Sequence, residues 1–269
     1  MLSTHPRLLK VFSALGALAR ALLRITLLMA WLVLSLVSQI AGFILRTGDG
    51  RHLRLRFYRG ALRILGIRIQ EFGDFSSRRP LFLVANHVSY LDIFILGSLI
   101  PAVFVSKREV RHWPLVGWIA AIQKTIFITR NPRQAALEVQ PLIEALNDAH
   151  NVIVFPEGTS TDGQQVQRFK TTLFEAPIQA NAFVQPVGLV YRDRTGGELS
   201  NKDRAFYTWG TDAPFFSHFL KLIVRPGVLV EVWIRPVIAP DFPRKQLANK
   251  AEQRVRSPIR RRTTLQHHD

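Results

Sequence analysis

The sequence predicts an α/β domain, a mostly parallel central sheet flanked by helices, preceded by an N-terminal membrane-inserted helical segment. Three observations carry that expectation. From Ile67 onward, short apolar runs alternate with longer stretches of helical spacing, the pattern of a largely parallel sheet. Between Arg24 and Arg46 lies a 21-residue run without a charge. As a helix it is long enough to cross a hydrocarbon core of about 30 Å. Finally, residues able to do chemistry stand just after strand-like runs, where open α/β sheets place their ligands.

Residues 1–66 are expected to form a membrane-inserted and amphipathic helical segment. The uncharged run Ile25–Leu45 is long for a removable signal peptide and has no small-residue cleavage site. Thr26, Ser35, Ser38 and Gln39 lower its apolarity, so spanning and shallow placements both fit. Arginines flank it on both sides, which leaves orientation open. Residues 52–66 mix arginine with leucine, phenylalanine and tyrosine at helical spacing, a basic amphipathic helix.

The α/β domain is expected over 67–243. Its strands fall at 67–72, 81–85, 103–105, 125–128, 152–155, 183–190 and 228–234. Its helices fall at 89–99, 114–122, 132–149, 171–180 and 215–223. Asn131 as N-cap and Pro132 as first helical residue suit the start of 132–149. Residues 244–269 form a basic tail; over 244–262 eight Lys and Arg face one acid, Glu252. That tail is expected to be disordered, either solvated or lying on anionic lipid.

At 269 residues and 48% hydrophobic, the chain can bury a sizeable core. A net charge of +17 and a pI near 11.3 point to an anionic partner, nucleic acid or a phospholipid surface. The apolar N-terminal run favours lipid. Nucleic-acid binding would want basic residues interleaved with aromatics on one face, and no nucleic-acid partner is expected. The absence of cysteine excludes disulfides, thiolate metal sites and a covalent cysteine intermediate. There is no G-x-S-x-G, H-E-x-x-H or C-x-x-C, and Gly163 to Lys170 departs from a P-loop. His112, His150, His218, His267 and His268 lack ligand-like spacing, and no metal site is expected.

Three strand ends hold candidate chemistry. His87 and Asp92 follow 81–85 in Asn86-His87-Val88-Ser89-Tyr90-Leu91-Asp92. Five residues apart, they can face one substrate only if the chain turns between them. An imidazole held by a carboxylate is a base able to deprotonate a hydroxyl near neutral pH. Ser89-x-x-Asp92 is also a helix capping box, so Asp92 as a simple cap fits equally. Arg130 follows 125–128; its planar fork suits phosphate or carboxylate, and a solvated loop arginine fits as well. Glu157, Gly158 and Thr159 follow 152–155. There Gly158 and Thr159 could offer N–H groups to an oxygen and Glu157 could accept from a hydroxyl, or the segment is only a turn. Arg168 and Lys170 could add anion contacts.

Asn86-His87-x-Ser89-x-x-Asp92, Thr125-Ile126-Phe127-Ile128-Thr129-Arg130, Phe155-Pro156-Glu157-Gly158-Thr159 and Val184-Gln185-Pro186-Val187 resemble, in order, the four blocks of the glycerophospholipid acyltransferases. The resemblance covers about 80–240 and is nearest to bacterial 1-acyl-sn-glycerol-3-phosphate acyltransferases. It implies that His87, oriented by Asp92, deprotonates an acceptor hydroxyl that attacks the thioester of acyl-CoA or acyl-ACP. Arg130, Lys170 and the Glu157–Thr159 turn would bind the acceptor headgroup. No cofactor, metal or covalent intermediate is implied; acyl-CoA or acyl-ACP is a co-substrate.

The leading expectation is acylation of the sn-2 hydroxyl of 1-acyl-sn-glycerol-3-phosphate, giving phosphatidic acid. The family's third block usually continues with arginine after Gly-Thr, and here Ser160 follows. That variant resembles the branch that acylates lyso-ornithine lipid, the second expectation. A non-catalytic basic membrane protein that binds anionic lipid is the alternative from another class. The expected location is the inner membrane of a bacterium, with the catalytic domain facing the cytoplasm.

Overall fold

The structure, a computed structural model, describes residues 6–45, 50–129, 135–209 and 214–263. The elements run α1 (Pro6–Ile44), α2 (Arg51–Leu65), β1 (Ile67–Phe72), β2 (Leu81–Ala85), α3 (Leu91–Leu99), β3 (Val103–Lys107), α4 (Val116–Ile122), β4 (Ile126–Ile128) and α5 (Ala135–Asn147). They continue with β5 (Val152–Val154), α6 (Glu175–Gln179), β6 (Phe183–Arg192), α7 (Asn201–Tyr207), α8 (Phe215–Ile223), β7 (Val228–Ile234) and α9 (Arg244–Thr263). Every strand expected from the sequence is present. Single 3-10 turns cover 108–112 and 171–174, the latter taking the first half of the helix expected at 171–180. The capping residues Asn131 and Pro132 lie outside the described residues.

Seven strands form one sheet in the order β1-β7-β6-β2-β5-β3-β4. All pairings are parallel except β6 with β7. The uninterrupted apolar strand β2 sits fourth of seven with every residue buried, as a strand covered on both faces must be. Leu81, Leu83 and Ala85 join a core with residues of α2, α3 and α8. Phe82 and Val84 join a second core with residues of α5, α6 and α9.

α1 packs against the first of these layers. Ala21, Arg24, Leu28, Trp31, Leu32 and Ser35 face the domain at alternating three- and four-residue spacing, one stripe of a helix. The contact with α2 is close. Trp31 donates to the carbonyl of Phe57 at 3.0 Å, and a Cβ at Gly60 would stand 2.1 Å from the Trp31 ring. Arg20 donates to Val224 O at 2.8 Å and Arg24 to Ile223 O at 3.0 Å, so two arginines satisfy carbonyls left open at the end of α8. Leu18, Leu22, Val33, Val37 and Ile40 on the other side of α1 are exposed. Ala14–Gly42 is long and apolar enough to cross a membrane by length and composition.

The tail departs from expectation. Residues 244–263 form α9, and Leu247, Ala248, Ala251 and Val255 are buried against the sheet. Charge content suggested disorder. Four small or apolar residues on one helical stripe outweigh it, because β6 and the 171–174 turn offer them a surface. Gly188 in β6 permits the approach, since a Cβ there would meet Pro258 at 2.7 Å. Truncation after Pro243 is therefore expected to lower the melting temperature, each large apolar side chain uncovered costing about 1.5–3 kcal/mol. Circular-dichroism melts of full-length and truncated protein check this; equal melting would mean that α9 adds no stability.

Candidate active site

β2 ends at Ala85 and α3 begins at Leu91, so the chain turns between His87 and Asp92 as their spacing requires. The turn brings His87 Nδ1 to 2.9 Å from Asp92 Oδ2. That oxygen also accepts the N–H groups of Val88 (2.7 Å) and Ser89 (2.9 Å), while Oδ1 accepts the Tyr191 hydroxyl at 2.6 Å. Asp92 is fully buried, and four donors supply what water would otherwise give. With two backbone N–H groups on Oδ2, the imidazole meets it as a further donor, Nδ1–H. That fixes the tautomer and leaves Nε2 as an acceptor. Among the described residues nothing hydrogen-bonds Nε2, and the His87 side chain keeps 19% of its surface exposed. The capping function is real as well: Asp92 in the first turn of α3 satisfies the Ser89 N–H. The reciprocal half of the box is missing, because Ser89 Oγ is buried without a partner.

Neighbouring strand ends hold this turn. β2 pairs with β5 at Val84 and Val154, which puts His87 level with Glu157. The Phe155 ring stacks on the imidazole, centroids 4.2 Å apart and 17° from parallel. Asn86 brackets Leu189 of β6, donating to its carbonyl at 3.0 Å and accepting its N–H at 2.7 Å. Thr161 N–H donates to His87 O and Trp209 N–H to Val88 O, both at 2.9 Å. Ser160 Oγ donates to the carbonyl of Trp209.

The expected headgroup residues fare differently. Glu157 is turned inward: Oε1 accepts the His87 N–H and Oε2 the Gln167 N–H, each at 2.6 Å, and the residue is buried. It braces the loop of His87, where the sequence suggested that it accepts from a substrate hydroxyl. Gly158 takes φ +76°, and its N–H donates to Phe155 O at 3.1 Å, closing the turn instead of facing a ligand. Thr159 is exposed at the tip. Lys170 runs along this turn, its amine 2.5 Å from where a Cβ of residue 158 would stand. Arg168 is exposed. Arg130 lies outside the described residues; β4, which precedes it, is three strands from β2, about 14 Å at a spacing of about 4.8 Å. No group of three His, Asp or Glu among the described residues is placed to hold a metal ion.

Two residues beside the dyad escaped sequence reasoning. Tyr191 belongs to β6, which pairs with Ala85 at Val187 and then runs past the end of β2. Val187, Leu189 and Tyr191 share a face by strand alternation, and that face carries Tyr191 to Asp92. Burial and the Asp92 charge hold its phenol well above the ordinary range, so it stays a donor. His218 of α8 donates from Nε2 to Thr208 O at 2.8 Å and so accepts the Tyr90 hydroxyl at Nδ1, 3.2 Å away.

An apolar cavity of about 280 Å³ adjoins the start of α3, lined by Tyr90, Leu91 and Phe94 with residues of α1, α2, α4 and α8. The recess therefore begins three residues along the chain from His87, at Tyr90.

The acyltransferase family model matches residues 66–190, a span that holds His87, Asp92, Glu157 and the strand ends that carry them. A lyso-ornithine lipid O-acyltransferase of Rhodobacter capsulatus is 40% identical over 211 residues, 74% of this chain and 73% of the relative. The chain belongs to the acyltransferase family. A 1-acyl-sn-glycerol-3-phosphate acyltransferase of Neisseria gonorrhoeae is 37% identical over 144 residues, 51% of this chain and 55% of that relative. The crystal structure of PlsC, the 1-acyl-sn-glycerophosphate acyltransferase of Thermotoga maritima, superposes with a TM-score of 0.60. At 21% identity it covers 90% of this chain and 97% of that one, and it shares the fold.

Two substitutions probe the geometry. Tyr191→Phe strips a donor from buried Oδ1 and is expected to cost about 1–3 kcal/mol of stability. It should also lower kcat with little change in either KM, because it acts through Asp92 on the imidazole; melts and steady-state kinetics check both. Glu157 is the pH-sensitive element, its carboxyl pushed by burial from 4.5 to about 7 against the pull of its two N–H donors. The folded chain therefore holds a proton there that the unfolded chain releases, so the stabilisation by protonated Glu157 is full below pH 4.5. It is lost as pH rises through about 7. In Glu157→Gln this component should vanish, so the wild-type minus variant melting temperature should fall across that window; a flat difference would contradict it.

Proposed function

We propose that this acyltransferase is a membrane-bound enzyme that moves a fatty acyl group from acyl-CoA or acyl-ACP to the free hydroxyl of lyso-ornithine lipid, giving ornithine lipid. The observation that carries the choice of acceptor is Ser160. Where phosphate-handling relatives have arginine after Gly-Thr, this chain has a hydroxyl bonded to the Trp209 carbonyl, a packing contact with no cation. The 40% identity to the Rhodobacter enzyme over three-quarters of the chain supports the same reading.

The chemistry runs through one imidazole. Nε2 of His87 takes the proton of the acceptor hydroxyl as that oxygen attacks the thioester carbonyl. Asp92 stabilises the imidazolium that forms. The tetrahedral intermediate collapses with loss of the thiolate, which receives the proton back from Nε2, and the enzyme returns to its starting state. The apolar cavity suits an acyl chain.

α1 serves as an in-plane anchor. Its docked stretch, Ala21 to Ser35, spans about 21 Å at 1.5 Å per residue, so the domain lies alongside the helix. A helix held this way beds in the interface with its outer apolar face in lipid. The domain faces the cytoplasm of a bacterium at the inner membrane, where acyl-CoA and acyl-ACP are available, and basic residues meet anionic lipid. α9, on the opposite face of the sheet from α1, points away from that surface.

Lysophosphatidic acid is the second reading, favoured by the Lys170 amine over the Gly158 turn and by the Neisseria relative. Assays of purified protein with both lysolipids and a labelled acyl thioester separate the two. At least a tenfold higher kcat/KM for lyso-ornithine lipid is expected, about 1.4 kcal/mol of transition-state preference; the reverse preference hands the assignment to lysophosphatidic acid. His87→Ala should lower transfer by about 10²–10⁴-fold with vesicle binding retained, and transfer to neither lipid by the wild type would point to a non-catalytic lipid-binding protein.

A further inference from the structure

α1 is not alone in presenting apolar side chains to the outside. Leu115 and Trp118, before and within α4, are 45% and 52% exposed; Phe216 and Leu220 of α8 are 58% and 57% exposed. Phe216 and Leu220 stand one helical turn apart, and the opposite side of α8 buries His218 and Leu222. A soluble surface seldom gathers large apolar side chains in this way.

Their placement relative to α1 gives them meaning. α8 adjoins the middle of α1: Phe215, Phe216 and Phe219 line the 280 Å³ cavity with Ile25, Leu28 and Met29. α4 adjoins the second half, where Trp118 and Ile122 line a small crevice with Leu32, Leu36 and Gln39. The exposed residues of both short helices therefore belong to elements packed beside α1. Basic groups accompany them. Arg108, Arg111, Lys124 and Lys221 are exposed on these elements and the turns beside them, and Glu109 is the exposed acid among residues 108–124 and 214–225. Apolar side chains beside basic ones match the acyl boundary and headgroups of an anionic bilayer.

We infer that α4 and α8 bed into the bilayer on either side of α1, inserting Leu115, Trp118, Phe216 and Leu220, so that three helices form one lipid-facing collar around the apolar cavity. This rests on the membrane reading of α1 and adds to it. The anchor is a patch built from three separate parts of the chain, and lipid lies against the helices that line the recess.

The chain has no cysteine, so single reporters can be placed without background. Trp118→Cys, Phe216→Cys, Ile40→Cys and Gln253→Cys each receive a nitroxide, and the full-length protein is reconstituted into phosphatidylethanolamine–phosphatidylglycerol vesicles. Collision with oxygen, which concentrates in lipid, is compared with collision with an aqueous nickel chelate. Positions 118 and 216 should behave like Ile40 on α1, with loss of nickel collisions and strong oxygen broadening; Gln253 on α9 should do the opposite. If 118 and 216 report water while Ile40 reports lipid, the collar is overturned and the α1 anchor stands. If Ile40 also reports water, both fail together. Labels at 118 and 216 shielded from both reagents and broadened by each other would show a second copy of the chain on this face, which also overturns the inference.

Discussion

The constraint on which the site depends is the buried carboxylate of Asp92. Taking a charge out of water costs several kcal/mol unless donors replace the solvent. Here His87, Val88, Ser89 and Tyr191 replace it. Three of the four lie in the turn that leads to Asp92, so satisfying the carboxylate dictates the path of that turn. The fourth ties the turn to β6. Helix cap and partner of the imidazole are then one object. A carboxylate in the first turn of a helix meets unsatisfied N–H groups in any case, and its remaining capacity is available to an imidazole.

Glu157 extends the same economy of contacts to the neighbouring strand. Its two oxygens hold the N–H of His87 from one side and that of Gln167 from the other, so the loops after β2 and β5 are joined through one buried side chain. Phe155 stacks on the imidazole from the same strand end. The imidazole is thus oriented at Nδ1, supported on its ring face and pinned at its backbone, and among the described residues nothing hydrogen-bonds Nε2. In the proposed reaction such preorganisation would remove the cost of arranging the base.

The two faces of the sheet divide the remaining work. One carries α1, α2, α3 and α8 with the apolar cavity. The other carries α5, α6 and α9, a conventional core that backs the strands whose ends hold the site. Continuous burial of β2 follows from this division, since its alternate side chains serve both cores.

All seven strands were legible as short runs bounded by turn residues, mostly apolar or, in β1, with apolar residues at Ile67, Ile69 and Phe72. The His87–Asp92 pair was legible because its spacing demands a turn that a strand end supplies. α9 was not: its charge count outweighed four buried residues on one stripe, and only the surface of β6 reveals why they matter. Glu157 was legible as a residue near the site but not in its orientation, since a carboxylate after a strand can face in or out. Tyr191 carried no local signal. Its role arises because β6 outruns β2 and alternation aims it at Asp92. What the sequence by itself determined is therefore everything set by periodicity and by spacing within one segment: the α/β class, the apolar helix, and the pairing of His87 with Asp92. Tertiary structure alone decided which distant groups would satisfy that carboxylate and which faces would lie beside α1, because burial and pairing register belong to the assembled sheet and to no single stretch of chain.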